Sequence, residues 1–209
     1  MIGIIICCCY KYLDNFKECF ERWKEFHTNQ LIKFFYVFGS SNKIIYDPET
    51  FVLQLDVPDD YECLPQKICK AIDYIYNNHP EITGIFKTDD DIEFNNMREL
   101  ILEITTLSES CNDYAGIFID TSKPNLIHSQ RLAKFTKIHN NITYFYDGAK
   151  YCYGAGYFIS RQSAKYICEN KKFISERYLE DVTIGHVLNK YNIFPTQMYS
   201  KCREVPRNV

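Results

Sequence analysis

The chain has 209 residues, 46% of them hydrophobic and 24% charged, which is ample for one globular domain with a buried core. Its net charge of −3 gives no electrostatic reason to expect nucleic acid or an anionic membrane as a partner. The apolar start, Ile2–Cys9, is shorter than the ~20 residues of a membrane-spanning helix and has no positively charged region before it. We therefore expect no nucleic-acid partner and no integral membrane segment.

In chain order, the hydrophobic pattern of the first half alternates between strands and helices. The predicted strands are Ile2–Cys9, Leu31–Phe38, Phe51–Leu55, Gly84–Thr88 and Tyr114–Ile119. The predicted helices are Asn15–Phe26, Glu62–Asn78, Asn96–Leu107, Ser160–Glu169 with Ser160 as N-cap, and Glu180–Tyr191, with a polar stretch at Thr121–Asn141. This alternation predicts an α/β domain with a mostly parallel sheet, in which ligands bind beyond the carboxyl ends of the strands.

Ten cysteines form no recognisable disulfide or zinc framework. Cys7, Cys8 and Cys9 lie consecutively inside the first predicted strand, and no C-x-x-C pair or Cys/His grouping with zinc spacing occurs. Reduced, buried thiols in a cytosolic protein explain them best.

An acidic triplet, Asp89-Asp90-Asp91, follows the predicted strand Gly84–Thr88. Three adjacent carboxylates repel one another unless a cation is near. Strand alternation would turn Asp89 and Asp91 toward one site, and hard oxygen ligands select Mg²⁺ or Mn²⁺, which keep positions open for a diphosphate. The alternative is a solvated acidic loop.

Two further patterns have a functional and a structural interpretation. Glu180 and Asp181 open a predicted helix, where acidic residues are favoured by the helix dipole, and one of them could serve as a general base. The glycines of Gly154-Ala155-Gly156 permit a close approach of the backbone to a ligand, or simply a tight turn before the Ser160 helix.

Taken in order, these stretches resemble the β-1,3-galactosyl/N-acetylglucosaminyltransferase family. That family carries K-T-D-D-D-[VI], then Y-C-x-G-x-G-Y-[VF]-[LIF]-S, then E-D-V-x-x-G, and this chain has Lys87–Ile92, Tyr151–Ser160 and Glu180–Gly185. A fourth pattern, D-x-Y-x-N-L-x-x-K, matches Asp59–Lys67 with cysteine in place of asparagine. The resemblance covers roughly Val57 to Leu188.

The resemblance implies a GT-A fold, a single Rossmann-like α/β domain over residues 1–209. Residues 1–120 would mainly bind the nucleotide sugar, and residues 121–209 would mainly form the acceptor side and supply the catalytic base. It implies an inverting, Mn²⁺-dependent (or Mg²⁺-dependent) transferase that moves a hexose (galactose, N-acetylglucosamine or glucose) from a UDP-sugar to a glycan acceptor, forming a β-1,3 linkage.

By position, the resemblance also assigns roles to individual residues. Asp91 would bind the metal together with Asp89, and Asp89 and Asp90 would lie near the ribose or donor sugar. Asp181 would be the catalytic base. Lys67 and the backbone of Gly154, Ala155 and Gly156 would line the donor pocket.

The chain also departs from the family pattern. Glu93 stands where the family has Phe, and no histidine follows His186 to serve as a further metal ligand, so water would complete the coordination. Cellular relatives have a membrane anchor and disulfides, and we expect neither in this chain. Together with a bias toward Ile, Lys, Asn, Tyr and Phe, this favours a bacterial or viral source and a cytoplasmic location, the host cytoplasm in the viral case.

Other functions remain open at this stage. The chain is alternatively a nucleotide-sugar or glycan-binding protein without turnover, or a metal-dependent phosphoryl or nucleotidyl transferase. The latter is less favoured, because no D-x-D follows Gly39-Ser40 and Glu93 breaks a phosphatase-like D-x-D-x-[TV] pattern.

Overall fold

The computed structural model describes residues 1–120 and 150–206, so the predicted polar stretch Thr121–Asn141 lies outside it. The strands of the described part are β1 (Ile2–Cys7), β2 (Ile32–Phe38), β3 (Ile45–Asp47), β4 (Val52–Gln54), β5 (Gly84–Asp89), β6 (Ile92–Phe94), β7 (Tyr114–Asp120), β8 (Lys150–Ser160), β9 (Thr196–Gln197) and β10 (Cys202–Glu204). Its α-helices are α1 (Leu13–Trp23), α2 (Leu64–Asn78), α3 (Met97–Glu109), α4 (Arg161–Glu169), α5 (Lys171–Ser175) and α6 (Glu180–Lys190).

One sheet of eight described strands runs in the order β3-β4-β2-β1-β5-β8-β7-β9. Neighbours are parallel at β4–β2, β2–β1, β1–β5 and β7–β9, and antiparallel at β3–β4, β5–β8 and β8–β7. The predicted α/β class with a mixed, mostly parallel sheet is therefore confirmed, and this is the arrangement expected of a GT-A fold. Because β8 lies between β5 and β7, both predicted halves of the chain contribute to the same sheet.

Helices cover both faces of this sheet, which explains why β1 is a continuous apolar run. Ile5 and Cys7 pack on one face with the helices α2, α4 and α6, whereas Ile4 and Ile6 pack on the other with α1 and α3. All six residues of β1 are buried, as predicted for a strand covered on both sides. The ten cysteines are free thiols. No helix in the described ranges is long and apolar enough to cross a membrane.

Local sequence signals located most of the helices. Asn96 caps α3 by accepting from the N–H groups of Arg98 and Glu99, and Ser160 caps α4 by accepting from Ser163. Of the two interpretations of the Gly154–Gly156 glycines, the tight turn is wrong, because the whole of Tyr151–Ser160 lies in strand β8. Four short strands, β3, β6, β9 and β10, were not predicted, since two or three residues are too few to show an alternation.

Helix α6 lies against β8 through glycines on both elements. A methyl group added to Gly185 would lie 2.4 Å from Tyr151 Cβ and 2.8 Å from the Lys150 carbonyl oxygen. Asp181 lies one helical turn before Gly185 on α6 and faces Gly154 of β8. A methyl group added to Gly154 would lie 3.4 Å from Asp181 Oδ2. The glycine of the E-D-V-x-x-G pattern therefore allows the close contact that brings Asp181 to Gly154.

Replacing Gly185 by alanine should destabilise the protein by about 3 kcal/mol or more, at the upper end of overpacking effects. In an unobstructed helix the same change stabilises by about 1 kcal/mol, so the sign of the effect reports the contact. Urea unfolding of Gly185→Ala, beside Lys190→Ala on the exposed end of α6 as control, measures it. A Gly185→Ala protein as stable as the wild type would contradict the packing described here.

Candidate active site

The acidic triplet lies at the carboxyl end of β5, in the middle of the sheet. Asp89 is the last residue of β5 and lies in register with Cys7, the last residue of β1. Asp90 and Asp91 form the turn that leads to β6, and the N–H of Asp90 donates to the Cys7 carbonyl oxygen at 3.1 Å. Strand alternation therefore ends at Asp89 and does not by itself place Asp91.

The three carboxylates have different surroundings. Asp89 lies 2.9 Å from the Lys87 ammonium and keeps 24% of its side chain exposed. Asp90 is only 2% exposed, whereas Asp91 is half-buried. Asp89 and Asp91 are thus the accessible members of the triplet. Direct contact between Asp90 and a donor sugar stays a prediction, since its carboxylate faces the protein interior.

The backbone of the triplet accepts hydrogen bonds from two residues that lie far from it in the chain. Arg22 of α1 donates to the Asp90 carbonyl oxygen at 2.8 Å. The N–H of Val205 donates to the Asp91 carbonyl oxygen at 2.7 Å, next to the pairing of β10 with β6. The C-terminal strand therefore fixes the turn that carries Asp91.

Glu93, the departure from the family pattern, takes part in the same strand pair. Its carboxylate accepts from Nε and a terminal nitrogen of Arg203 on β10, at 2.9 and 2.7 Å. Phe94 instead fills the core, with its ring 5.8 Å from Phe86 and 6.5 Å from Trp23. The extra carboxylate is therefore bound to the C-terminal strand, and the aromatic residue one place later fills the interior.

A buried lysine joins the three sequence patterns. The Lys87 ammonium donates to the Gly154 carbonyl oxygen at 2.8 Å and lies 2.9 Å from Asp89 and 3.5 Å from Glu180. Burial alone would lower the pKa of Lys87, but Asp89 and Glu180 hold it well above its ordinary value, so the ammonium stays charged. In the sequence, Lys87 stands out only as the first residue of the K-T-D-D-D pattern, because Gly154 and Glu180, which it contacts, lie far from it in the chain.

The two carboxylates at the start of α6 differ sharply in exposure. Glu180 is 3% exposed, accepts a very short hydrogen bond from the Tyr157 hydroxyl and lies beside Lys87. Asp181 is half-buried, and its oxygens accept from the N–H groups of Gly154 at 3.1 Å and Val182 at 2.8 Å. These two backbone donors orient the Asp181 carboxylate.

The pKa of Glu180 is raised to about 7, mainly by burial, with Asp181 and Asp89 adding to the rise and Lys87 and Tyr157 opposing it. The ordinary value is 4.5, so between these two values the folded protein binds a proton that the unfolded chain releases. The free energy of unfolding should therefore fall as the pH rises from about 4.5 to about 7. Denaturant unfolding of metal-free protein across this range measures the slope.

Glu180→Gln should flatten this slope, because glutamine has no proton to lose. Exposed Glu109→Gln on α3 serves as the control and should keep the wild-type slope. Equal slopes in wild type and Glu180→Gln would show that Glu180 ionises in the folded protein as it does in the unfolded chain.

Lys67, the predicted donor-pocket lysine, is bound within the protein. It is 3% exposed and donates to the Cys8 carbonyl oxygen and to Asp59, each at 2.8 Å. Asp59 also accepts from the N–H groups of Tyr10 at 2.7 Å and Gly39 at 3.0 Å. The two ends of the D-x-Y-x-N-L-x-x-K pattern thus form an ion pair that ties α2 to the carboxyl ends of β1 and β2. Contact between Lys67 and the donor stays a prediction.

The backbone of Gly154–Gly156 makes hydrogen bonds within the protein. The Gly154 carbonyl oxygen accepts from Lys87 at 2.8 Å, and the Ala155 carbonyl oxygen accepts from the Thr88 hydroxyl at 2.7 Å. A methyl on Gly156 would lie 3.1 Å from the Phe86 ring. The structure thus brings Asp89, Gly154 and Glu180 together around Lys87, with Asp181 bound to the N–H of Gly154. Lys67 lies apart from them, at the carboxyl ends of β1 and β2.

The accessible oxygen ligands of the triplet suit a divalent ion shared with a substrate. Across residues 1–120 and 150–206, no group of three or more His, Cys, Asp and Glu side chains is arranged to hold a metal. Mg²⁺ and Mn²⁺ in phosphate-handling sites typically use one or two carboxylates, with water and substrate phosphate as the other ligands. Asp89 and Asp91 fit that role and do not form an all-protein cage.

Comparison with known proteins extends these observations. One solved structure that the chain resembles is described as a glycosyltransferase involved in the glycosylation of the major capsid of PBCV-1. The match covers 94% of this chain and 81% of that protein's chain at 12% sequence identity, with a TM-score of 0.49. A likeness of this degree carries no argument about function. No curated protein matches the chain. A sequence model of the galactosyltransferase family matches residues 23–199, well over half of the chain. The chain belongs to the galactosyltransferase family, which implies a nucleotide-sugar donor.

Proposed function

We propose that the protein is an inverting, metal-dependent hexosyltransferase that moves galactose, N-acetylglucosamine or glucose from a UDP-sugar to a hydroxyl of a glycan, forming a β-1,3 linkage. Family membership supports glycosyl transfer and makes galactose the first donor to test. The observation that carries the finer proposal is the convergence of the acidic triplet, the glycine strand and the helix start. Asp89 and Gly154 bind the same ammonium, and Asp181 accepts from the Gly154 N–H.

Exposure favours Asp181 over Glu180 as the general base. A base must come within hydrogen-bond reach of the acceptor hydroxyl. Glu180 is 3% exposed and is already engaged by Lys87 and Tyr157, so an acceptor cannot approach it. Asp181 is half-buried and is oriented by two backbone donors.

In the proposed reaction, the acceptor hydroxyl gives its proton to Asp181 as its oxygen forms a bond to the anomeric carbon. The bond from that carbon to the diphosphate breaks, and its electron pair leaves with UDP. Attack from the opposite face turns an α-linked donor into a β-glycoside. Asp91 and Asp89 would hold the divalent ion, which when bound neutralises charge that develops on the diphosphate.

The direct test is UDP release from a panel of UDP-sugars, measured with Mn²⁺ and with EDTA. Slow hydrolysis without an acceptor is sufficient, because water replaces the hydroxyl weakly. We expect metal-dependent release with a preference for one donor. Release that EDTA leaves unchanged would contradict the metal requirement, and no release from any donor would contradict the proposal.

Calorimetry with UDP and Mn²⁺ separates the alternatives. Binding without turnover even when acceptor glycans are supplied would favour a nucleotide-sugar-binding protein. Turnover of nucleoside triphosphates in place of UDP-sugars would favour phosphoryl or nucleotidyl transfer.

We also propose a cytoplasmic location, which the ten free thiols support.

A further inference from the structure

The Lys87 ammonium contacts one residue from each of the three sequence patterns. It donates to the carbonyl oxygen of Gly154 in β8 at 2.8 Å and forms ion pairs with Asp89 of the acidic triplet at 2.9 Å and with Glu180 at the start of α6 at 3.5 Å. The side chain is 1% exposed. Lys87 and Gly154 are 67 residues apart in the sequence, so the lysine joins parts of the chain that no local interaction holds together.

Burial rules out a direct contact between Lys87 and a phosphate. The side chain is 1% exposed, and its ammonium donates to the Gly154 carbonyl oxygen and forms ion pairs with two carboxylates of the protein. Its effect on a reaction must therefore pass through the residues that it contacts.

The residues that Lys87 contacts belong both to the proposed donor site and to the surroundings of the proposed base. Asp89 is one of the carboxylates that would hold the donor. Gly154 donates its N–H to Asp181 while its carbonyl oxygen accepts from Lys87, so the same peptide segment connects the ammonium to the proposed base. Glu180 directly precedes Asp181 on α6 and is the second carboxylate that balances the charge of Lys87.

We propose that Lys87 is a positioning residue that fixes the spacing between the donor-side carboxylates and the base Asp181. This inference rests on the proposed function, since it concerns the same site. Misplacement of reacting groups by about 1 Å is enough to reduce turnover about 100-fold. Lys87→Met should therefore lower kcat for UDP release about 100-fold.

A merely structural lysine would also give a less active protein, because its loss leaves the Gly154 carbonyl oxygen and the carboxyl groups of Asp89 and Glu180 without the buried ammonium between them. The double variant Lys87→Met/Glu180→Gln separates the two roles. It removes the ammonium together with the buried carboxyl group that faces it, so its free energy of unfolding should recover toward that of Glu180→Gln. Its kcat should stay at least about tenfold below that of Glu180→Gln, because Asp89 and Gly154 remain without their bridge.

The experiment compares wild type, Lys87→Met, Glu180→Gln and the double variant for UDP release and denaturant unfolding. Lys70→Met is the matched control, since Lys70 forms an ion pair with Asp56 at 2.8 Å outside the site and should keep wild-type kcat. Recovery of kcat together with stability in the double variant would overturn the positioning role. Inactivity of the wild type toward every donor would instead overturn the proposed function.

Amide hydrogen exchange at Gly154 gives a second measurement that needs no turnover. If Lys87 holds this segment against α6, the Gly154 N–H that donates to Asp181 should exchange at least about tenfold faster in the double variant than in Glu180→Gln. Unchanged exchange there would overturn the inference even if the protein transfers no sugar.

Discussion

Asp181→Asn should lower kcat for UDP release by roughly 10³-fold, within the usual range for loss of a general base. Asparagine has nearly the same shape, and its carbonyl oxygen can still accept from the Gly154 N–H, so the site should keep its form. What it lacks is the ability to take the proton of an acceptor hydroxyl or of water. Steady-state UDP release at saturating donor and Mn²⁺ measures the effect.

Asp113→Asn is the matched control for this variant. Asp113 accepts from the hydroxyl of Ser160, the last residue of β8, at 2.7 Å and away from Gly154 in the middle of that strand, so the change should leave kcat at the wild-type level. Asp181→Asn activity within about threefold of wild type would show that another group removes the proton, or that none needs to. An equal loss in both variants would point to a general loss of folding.

Asp91→Ala should remove the dependence of UDP binding on Mn²⁺. In the wild type we expect Mn²⁺ to tighten UDP binding at least about tenfold, because the ion links the carboxylates to the diphosphate. The alanine variant keeps the backbone contact from Asp91 to Val205, so the turn itself should survive. Calorimetric titration of UDP with and without Mn²⁺ measures the difference, and UDP release should fall at least about 100-fold.

Asp56→Ala removes an acidic side chain outside the site and serves as the control, with Mn²⁺ expected to act as in the wild type. If Mn²⁺ tightens UDP binding equally in Asp91→Ala and wild type, the ion is held elsewhere and the assignment of Asp91 as a metal ligand is wrong. A loss in Asp56→Ala as well would indicate a nonspecific charge effect.

The sequence located the elements whose signals are local. An unbroken apolar run defined β1, and side-chain caps at Asn96 and Ser160 marked where α3 and α4 begin. By contrast, β8 contains Gly154 and Gly156, which are also typical of turns. Only its place between β5 and β7 explains why glycine is needed there, since a methyl on Gly156 would crowd the Phe86 ring.

The same distinction applies to the site. The order of the patterns was enough to identify the family, and it is the basis for the roles proposed for Asp91 and Asp181. It did not reveal that Lys87 lies between Asp89 and Glu180, that Asp59 and Lys67 pair with each other, or that Glu93 binds Arg203. Each of these contacts depends on which strands are neighbours in the sheet, which no pattern within a single segment can specify.

The difference between Glu180 and Asp181 was equally hidden in the sequence. Two adjacent carboxylates at a helix start look equivalent, but consecutive helical residues point about 100° apart. One therefore enters the interior to meet Lys87 and Tyr157, and the other stays half-exposed beside Gly154. The more exposed of the two, Asp181, is the one proposed as the base.

The most direct test of the proposed reaction is the anomeric configuration of the sugar released from an α-linked UDP-sugar. NMR can follow the product in the first minutes, before the free sugar equilibrates between its anomers. If Asp181 directs attack from the face opposite the diphosphate, the β anomer should appear first and the α anomer only later. Initial release of the α anomer would contradict inversion, and with it the role of Asp181 as the base.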